Sequence, residues 1–289
     1  MDQKAADQLT AEEVKLTFVY YGDINNRLLL ERNPGLRDIM KEKDGQYFVH
    51  DDYYDEDLQR LIDRPAEGLN RHNYEELIRG QLLIGLRDDV ARAVSPFVSL
   101  FNMSSRAIRK LLPDLGAYLN SRVVGSEIRE RLQKPLAKAM MHDDVMLLSH
   151  SMGCMVAYDV LWKFSRMSEY KDLWPKKLPV WLTLGNPLGE PSVQKGLYDS
   201  NEPNDGRYPA NIIEWVNINA VDDYIAHDPT IADDFRPMIH ERLAGSITDG
   251  AEIYNLWIDH LGKCNPHNLF GYLNHPDAAL QVAKWINAK

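Results

Sequence analysis

The chain has only two cysteines in 289 residues, Cys154 and Cys264. Two thiols cannot build a disulfide-stapled scaffold or a four-thiolate zinc site. Positive charge is also in short supply. Lys and Arg number 33 against 43 Asp and Glu, a formal net charge of −10. An acidic surface repels nucleic-acid phosphates and anionic lipid, so no nucleic-acid partner is expected. Glycine (17) and proline (15) are too few for collagen-like or low-complexity architecture. Apolar runs are short and interrupted, so no membrane span is expected. The opening MDQKAADQLTAEEVK carries no apolar stretch of the secretory-signal type. There is no internal repeat and no Pro/Gly/Ser-rich linker. What remains is a chain of ordinary globular composition, 44% hydrophobic and 26% charged. Its length suffices for one large α/β domain, and the expected location is cytoplasmic.

Several segments carry strand or helix signals. Val14–Tyr21 (VKLTFVYY) reads as a buried strand ended by Gly22-Asp23, and 46–50 (QYFVH) as a second. From about Asp57 to Met141 the pattern is helical. One helix carries Leu77, Leu82, Leu83 and Leu86. Another carries Ile108, Leu111 and Leu112 behind a Ser104 or Ser105 cap. A third, capped by Ser126, aligns Ile128, Leu132, Leu136 and Met140 on one face. Pro135 should kink or break it. Val145–Ser149, Val180–Leu184 and Ile212–Ile218 read as buried parallel strands, with Ile253–Ile258 as a fourth. Helices fall between and after them: Met155–Phe164, Thr230–Leu243, and one from Pro276 to about Ile286. The alternation predicts an α/β fold, a mostly parallel sheet with helices on both faces. We read residues 1–289 as a single domain with a helical insertion within 51–120.

The chemistry-bearing stretch is Val145–Leu161, VMLLSHSMGCMVAYDVL. A strand runs into Ser149-His150-Ser151-Met152-Gly153 and an apolar helix follows at once. This is the setting of a nucleophile elbow. A sharp strand-to-helix turn strains the backbone at Ser151 and pushes its Oγ into the cleft. Small residues are needed two before and two after. Gly153 meets that need, and Ser149 stands where glycine is commonest. The Met152 N–H, at the helix start, then points at a developing oxyanion.

Four segments together resemble the α/β-hydrolase superfamily of serine hydrolases, most closely bacterial esterases and lipases. They are HSMG with VAYDVL, LTLGNPLG (182–189), WVNINAVDDYIA (215–226) and NPHNLFGYLNHP (265–276). The resemblance covers about residues 110–289 in the family's order of serine, acid, histidine. It implies the α/β-hydrolase fold and Asp223 as the acid, with Asp222 as the alternative and the other of the two a solvated loop carboxylate. His227, His240, His260, His267 and His275 follow the acid. The resemblance implies His267 as the base, because it falls on the family's NPH.

These roles make a serine carboxylic ester hydrolase acting through an acyl-enzyme on short to medium acyl esters. An acyltransferase or amidase with the same triad is one alternative. A catalytically weak hydrolase-fold binding protein is another. No cofactor and no metal are expected; the partner is a small-molecule ester. The chain departs from the family in one respect: it has no His-Gly dipeptide. That loop normally brings the second oxyanion donor. In one reading TFVYYGD is the oxyanion strand with Tyr21 in place of His and the Asp23 N–H as donor. In the other it is the next strand, and the donor loop is missing.

Three further features have plainer readings. Val94–Met103 (VSPFVSLFNM) is a core helix rather than a lid or acyl pocket. The acidic run HDDYYDED (50–57) is a solvated loop rather than a metal site. Cys154 and Cys264 flank the Ser151 and His267 segments and are expected as neighbouring free thiols.

Overall fold

The computed structural model of the chain describes residues 3–11, 13–32, 72, 76, 113–223, 225–226, 228–255 and 266–288. In chain order the elements are α1 (Gln3–Thr10), α2 (Gly22–Arg32), α3 (Pro113–Asn120), α4 (Arg122–His142), β1 (Met146–His150), α5 (Met152–Arg166), β2 (Leu178–Leu184), β3 (Ile212–Ile218), α6 (Arg236–His240), β4 (Ala244–Asp249), α7 (Leu269–Asn274) and α8 (Pro276–Asn287). The four strands form one sheet in the order β1-β2-β3-β4, parallel throughout. This is an α/β architecture. Every strand ends at the same edge, and the loops that carry chemistry leave from that edge.

Strand alternation sorts the core into two layers. Trp181 and Trp215 pack with α4 and α5, including Ile128, Leu132, Tyr158, Leu161 and Phe164. Trp181 sits opposite Trp215 in the ladder, and the rings stack at 4.2 Å between centroids. The other face, Leu182, Leu184, Val216 and Ile218, packs with Tyr272 and Ala278 of α7 and α8. Helices therefore cover both faces. α1 adds Ala5 to a small apolar cluster with Ala283 and Ile286 of α8.

The strands at 145–149, 180–184 and 212–218 form within a residue or two of the expected bounds, as does the helix after Pro276. Ile128, Leu132, Leu136 and Met140 are buried on one face of α4 as expected. That helix, however, starts earlier, where the Ser121 Oγ accepts the Val124 N–H at 3.3 Å. Ser126 lies inside it. It also runs unbroken past Pro135. Proline removes one ladder bond, and the apolar face buried on both sides of it holds the helix together.

Other expectations fail. Val14–Tyr21 is not a strand: it makes no ladder among the described residues, and Leu16 and Phe18 are 85% and 78% exposed. Gly22-Asp23 opens α2 there. Strand propensity without a neighbouring strand to pair with does not make a strand. Of the expected strand at 253–258, residues 256–258 lie outside the described residues; the fourth strand of the described sheet is Ala244–Asp249. Gly245 permits it, because a Cβ there would lie 2.6 Å from the Ile213 carbonyl oxygen. Ile253 makes only an isolated bridge to Ala220. The helix expected over Thr230–Leu243 shrinks to Arg236–His240. Upstream, Asp228 accepts the Thr230 N–H and O–H, and Asp249 accepts the Ile231 and Ala232 N–H groups. These side chains satisfy the backbone that a helix would have used. The segments 46–50, 50–57, 74–86 apart from residue 76, 94–103 and 104–112, most of the expected insertion at 51–120, and Cys264 lie outside the described residues.

Candidate active site

The carboxyl end of β1 turns into α5 over one residue, Ser151. Its φ of 55° and ψ of −130° put a non-glycine residue in a sparsely populated region. The turn is pinned on both sides. The Ser151 N–H donates to the Leu184 carbonyl at 3.2 Å, and the Cys154 N–H donates to the Ser151 carbonyl at 2.9 Å. Ser149 fits in place of glycine because its hydroxyl is fully used. It accepts the Trp181 indole N–H at 2.9 Å and donates to the Cys154 Sγ at 3.4 Å. A Cβ on Gly153 would meet the Tyr21 hydroxyl at 3.4 Å and the Ser149 Cβ at 4.0 Å. A methyl group would thus be in ordinary contact there. The strain sits at Ser151 itself.

His267 arrives from a turn just before α7. Its Nε2 lies 2.6 Å from the Ser151 Oγ, and its Nδ1 lies 2.7 Å from the Asp223 Oδ2. A carboxylate can only accept, so Nδ1 carries the proton and Nε2 accepts the serine hydroxyl. Asp223 follows β3 in a tight turn, with its N–H donating to the Ala220 carbonyl at 3.0 Å. Its side chain is fully buried. Oδ1 accepts the Ile225 and Ala226 N–H groups at 2.9 and 3.2 Å. Oδ2 accepts the Tyr272 hydroxyl at 2.6 Å besides His267. Burial by itself would raise this carboxyl. The charge and hydrogen bond of His267, with the bonds from Tyr272 and Ile225, outweigh it and hold the group below the usual carboxylate range.

Of the two adjacent aspartates, Asp223 thus meets the imidazole. Asp222 points the other way and accepts the Asn255 N–H at 2.7 Å. It is not a solvated loop carboxylate, being 5% exposed. Burial, aided by the charge of Asp223, pushes it up to about 7. Among the other histidines, His240 ends α6. His275 caps α8, its Nδ1 accepting the Asp277 N–H at 3.3 Å. His227 and His260 lie outside the described residues.

The Met152 N–H is the first backbone donor of α5 beside the serine. The TFVYYGD segment reaches the same place in a different form. Residues 17–21 carry no regular secondary structure and Gly22-Asp23 begin α2, and the Tyr21 hydroxyl lies against Gly153. Two ion pairs hold α2 against α4: Arg131 with Asp23 at 2.6 Å, and Arg27 with Glu127 at 2.6 Å.

Three residues that sequence reading passed over complete the site. His150 lies beside His267, with ring centroids 4.8 Å apart, and its Nε2 is 2.9 Å from the His267 carbonyl oxygen. Tyr272 holds Asp223 and also accepts the Ala220 N–H at 3.0 Å. Gly185, with φ of +52°, leaves room for both. A Cβ there would lie 3.1 Å from the Asp223 Oδ2, 3.1 Å from Tyr272 and 3.2 Å from His150. Their signals were faint: His150 adjoins the serine, and Gly185 and Tyr272 sit inside segments already singled out. Cys154 is buried behind the elbow, and burial pushes its thiol up to about 12. An inert thiol of this kind packs and does not attack.

Among the described residues no group of three or more His, Cys, Asp or Glu side chains is placed to hold a metal ion. Nor is any described helix long and apolar enough to cross a membrane. No protein-family model, no curated protein and no solved structure matches the chain. What the site can do therefore rests on its geometry. A hydroxyl on a strained backbone, a ring nitrogen placed to take its proton and a buried carboxylate that orients the ring are the parts from which a serine nucleophile can be made.

Proposed function

We propose that this chain is an α/β-hydrolase-type serine hydrolase that cleaves carboxylic esters through an acyl-enzyme. One observation carries the reading: Ser151 Oγ, His267 and Asp223 are joined in line by contacts of 2.6 and 2.7 Å, with the serine in a strained turn at a helix start. A serine that only capped a helix would have no reason to meet an imidazole backed by a buried carboxylate.

The chemistry follows from the roles. His267 Nε2 takes the Ser151 proton as Oγ attacks the ester carbonyl. The Met152 N–H stabilises the oxyanion at the positive end of α5. The resulting imidazolium is stabilised by Asp223, which keeps its own negative charge. His267 returns the proton to the departing alkoxide, and an acyl-Ser151 ester remains. Water, deprotonated by the same ring, then releases the acid. Substrates are short to medium acyl esters.

Fluorophosphonate labelling read by intact mass tests this directly. One stoichiometric adduct is expected on the wild type and none on Ser151→Ala. Ester turnover in the variant should fall by about 10⁶ in kcat. Ester turnover by a folded Ser151→Ala at the wild-type rate would overturn the assignment. A folded wild type that takes no adduct would favour the hydrolase-fold binding protein.

A further inference from the structure

The proposed relay needs His267 to keep two bonds aligned, one to Ser151 and one to Asp223. The ring sits on a short turn before α7 and comes from far along the chain. Two consecutive carbonyls of that turn are held by side chains from elsewhere in the fold. The Asn268 carbonyl accepts the Asn255 Nδ2–H at 2.9 Å. The His267 carbonyl faces the His150 Nε2 at 2.9 Å. A carbonyl can only accept, so His150 donates, and its proton must sit on Nε2. His150 ends β1, the rigid strand that also delivers Ser151.

Resting on the proposed esterase reading, we infer that His150 is a positioning residue for His267. It anchors the His267 backbone through its Nε2–H and braces the His267 ring with its own ring face. The nucleophile and its base are thereby held by one strand end, because residues 150 and 151 are neighbours in the chain. Among the described residues three titratable groups face His150: His267 from the turn, Asp223 from the loop after β3, and Tyr272 from α7, its ring centroid 5.8 Å away. Burial first, then the charge of His267, pushes the His150 ring down to about 3, against opposing effects from Asp223 and the carbonyl bond. A ring pushed down that far is neutral near pH 7, and the carbonyl facing Nε2 fixes which nitrogen carries its proton.

Two substitutions separate the anchor from the packing. His150→Phe keeps a ring and loses the donor. His150→Gln loses the ring and keeps a donor at nearly the same reach. Fluorophosphonate labelling rates and the pH profile of kcat/KM are measured for both beside the wild type. His150→Phe should lower kcat by about tenfold to a hundredfold with KM little changed, as a small misplacement of a catalytic group does. The acid limb of its profile should move down in pH, because a loosened His267 loses support from Asp223. His150→Gln should recover most of the rate and the limb.

Wild-type rates and an unmoved limb in both variants would overturn the inference while leaving the esterase reading intact. Equal losses in both with an unmoved limb would mean packing alone and would also overturn it. A wild type that takes no label fails the esterase reading, and the inference with it. Should His150→Phe not fold, histidine-labelled NMR of the wild type decides. One ring locked as the neutral Nε2–H tautomer from about pH 5 to 8 is expected. If every ring titrates in that range, the inference fails.

Discussion

Two buried aspartates in this molecule carry nearly the same set of partners and differ in what stands behind the basic one. Asp223 accepts a tyrosine hydroxyl at 2.6 Å, a ring nitrogen of His267 at 2.7 Å, and backbone N–H groups. Asp159, on α5, accepts the Tyr118 hydroxyl at 2.6 Å, an Arg129 nitrogen at 3.3 Å, and the Tyr198 N–H at 3.0 Å. The partner that differs is the basic one. Arg129 is a fixed cation with donors only, so its pair with Asp159 ends there and ties α4 to α5. His267 has a second nitrogen that is itself an acceptor, and a serine hydroxyl stands against it at 2.6 Å. The balance of charge differs as well. Burial raises Asp159 despite Tyr118, Tyr198 and Arg129, whereas Asp223 is lowered in spite of burial. A buried carboxylate with a tyrosine and a cationic partner is thus no mark of a site by itself. What lies on the far side of the basic group decides.

The sharpest way to break this comparison is to neutralise both carboxylates. Asp223→Asn should cost about 10⁴ in kcat, because the ring loses its tautomer and its counter-charge. The melting temperature should fall as well, because a carboxyl held below its usual range stabilises the folded chain. Asp159→Asn should spare catalysis. It leaves Arg129 charged and buried, so chemical denaturation should show a loss of about 3–5 kcal/mol, with kcat per folded molecule unchanged. Similar activity losses in the two variants would remove the distinction.

The tyrosines give a smaller contrast. Tyr272→Phe strips Asp223 of one bond and leaves the Ala220 N–H without its acceptor. A loss of about 1–3 kcal/mol in stability is expected, with a drop in kcat as well. Tyr118→Phe should show a similar stability loss and no drop in kcat.

The weakest effect separates the two neighbouring aspartates by pH. Asp222 and Asp199 are both held up to about 7, burial being the main cause in each. In the unfolded chain they titrate at about 4. Between those values the folded form holds protons that the unfolded form has released. Stability from these groups is therefore full at low pH, falls as pH rises through that window, and levels off above about 7. The melting temperature should decline from pH 5 to 8. Asp222→Asn should flatten the decline and leave kcat unchanged, unlike Asp223→Asn. A slope unaffected by that variant would show that Asp222 does not hold its proton.

How far the sequence could be read follows from where the information is local. The strands β1, β2 and β3 were legible because each is an apolar run bounded by turn residues. The elbow was legible because strand, serine, glycine and helix are contiguous. The Ala244–Asp249 strand was not, because AGSITD is polar and pairs only at the sheet margin. VKLTFVYY misled for the converse reason: the propensity is there, and among the described residues no strand lies beside it. Ser151, Asp223 and His267 were chosen by their order along the chain and by resemblance. His150 could not be chosen that way, since its partner lies 117 residues on, and the Tyr272 bond to Asp223 spans 49. Hydrogen bonds at such separations leave no periodicity to find.

Gly185 carries one more consequence. Its bare backbone is the shared clearance among Asp223, Tyr272 and His150. Those three positions cannot drift one at a time. A larger group at any of them presses on the same glycine and thereby on the other two, so substitutions there should be strongly non-additive. The tolerance of the acid, the tyrosine and the neutral histidine to mutation is one joint quantity, with a single α-carbon as its hub.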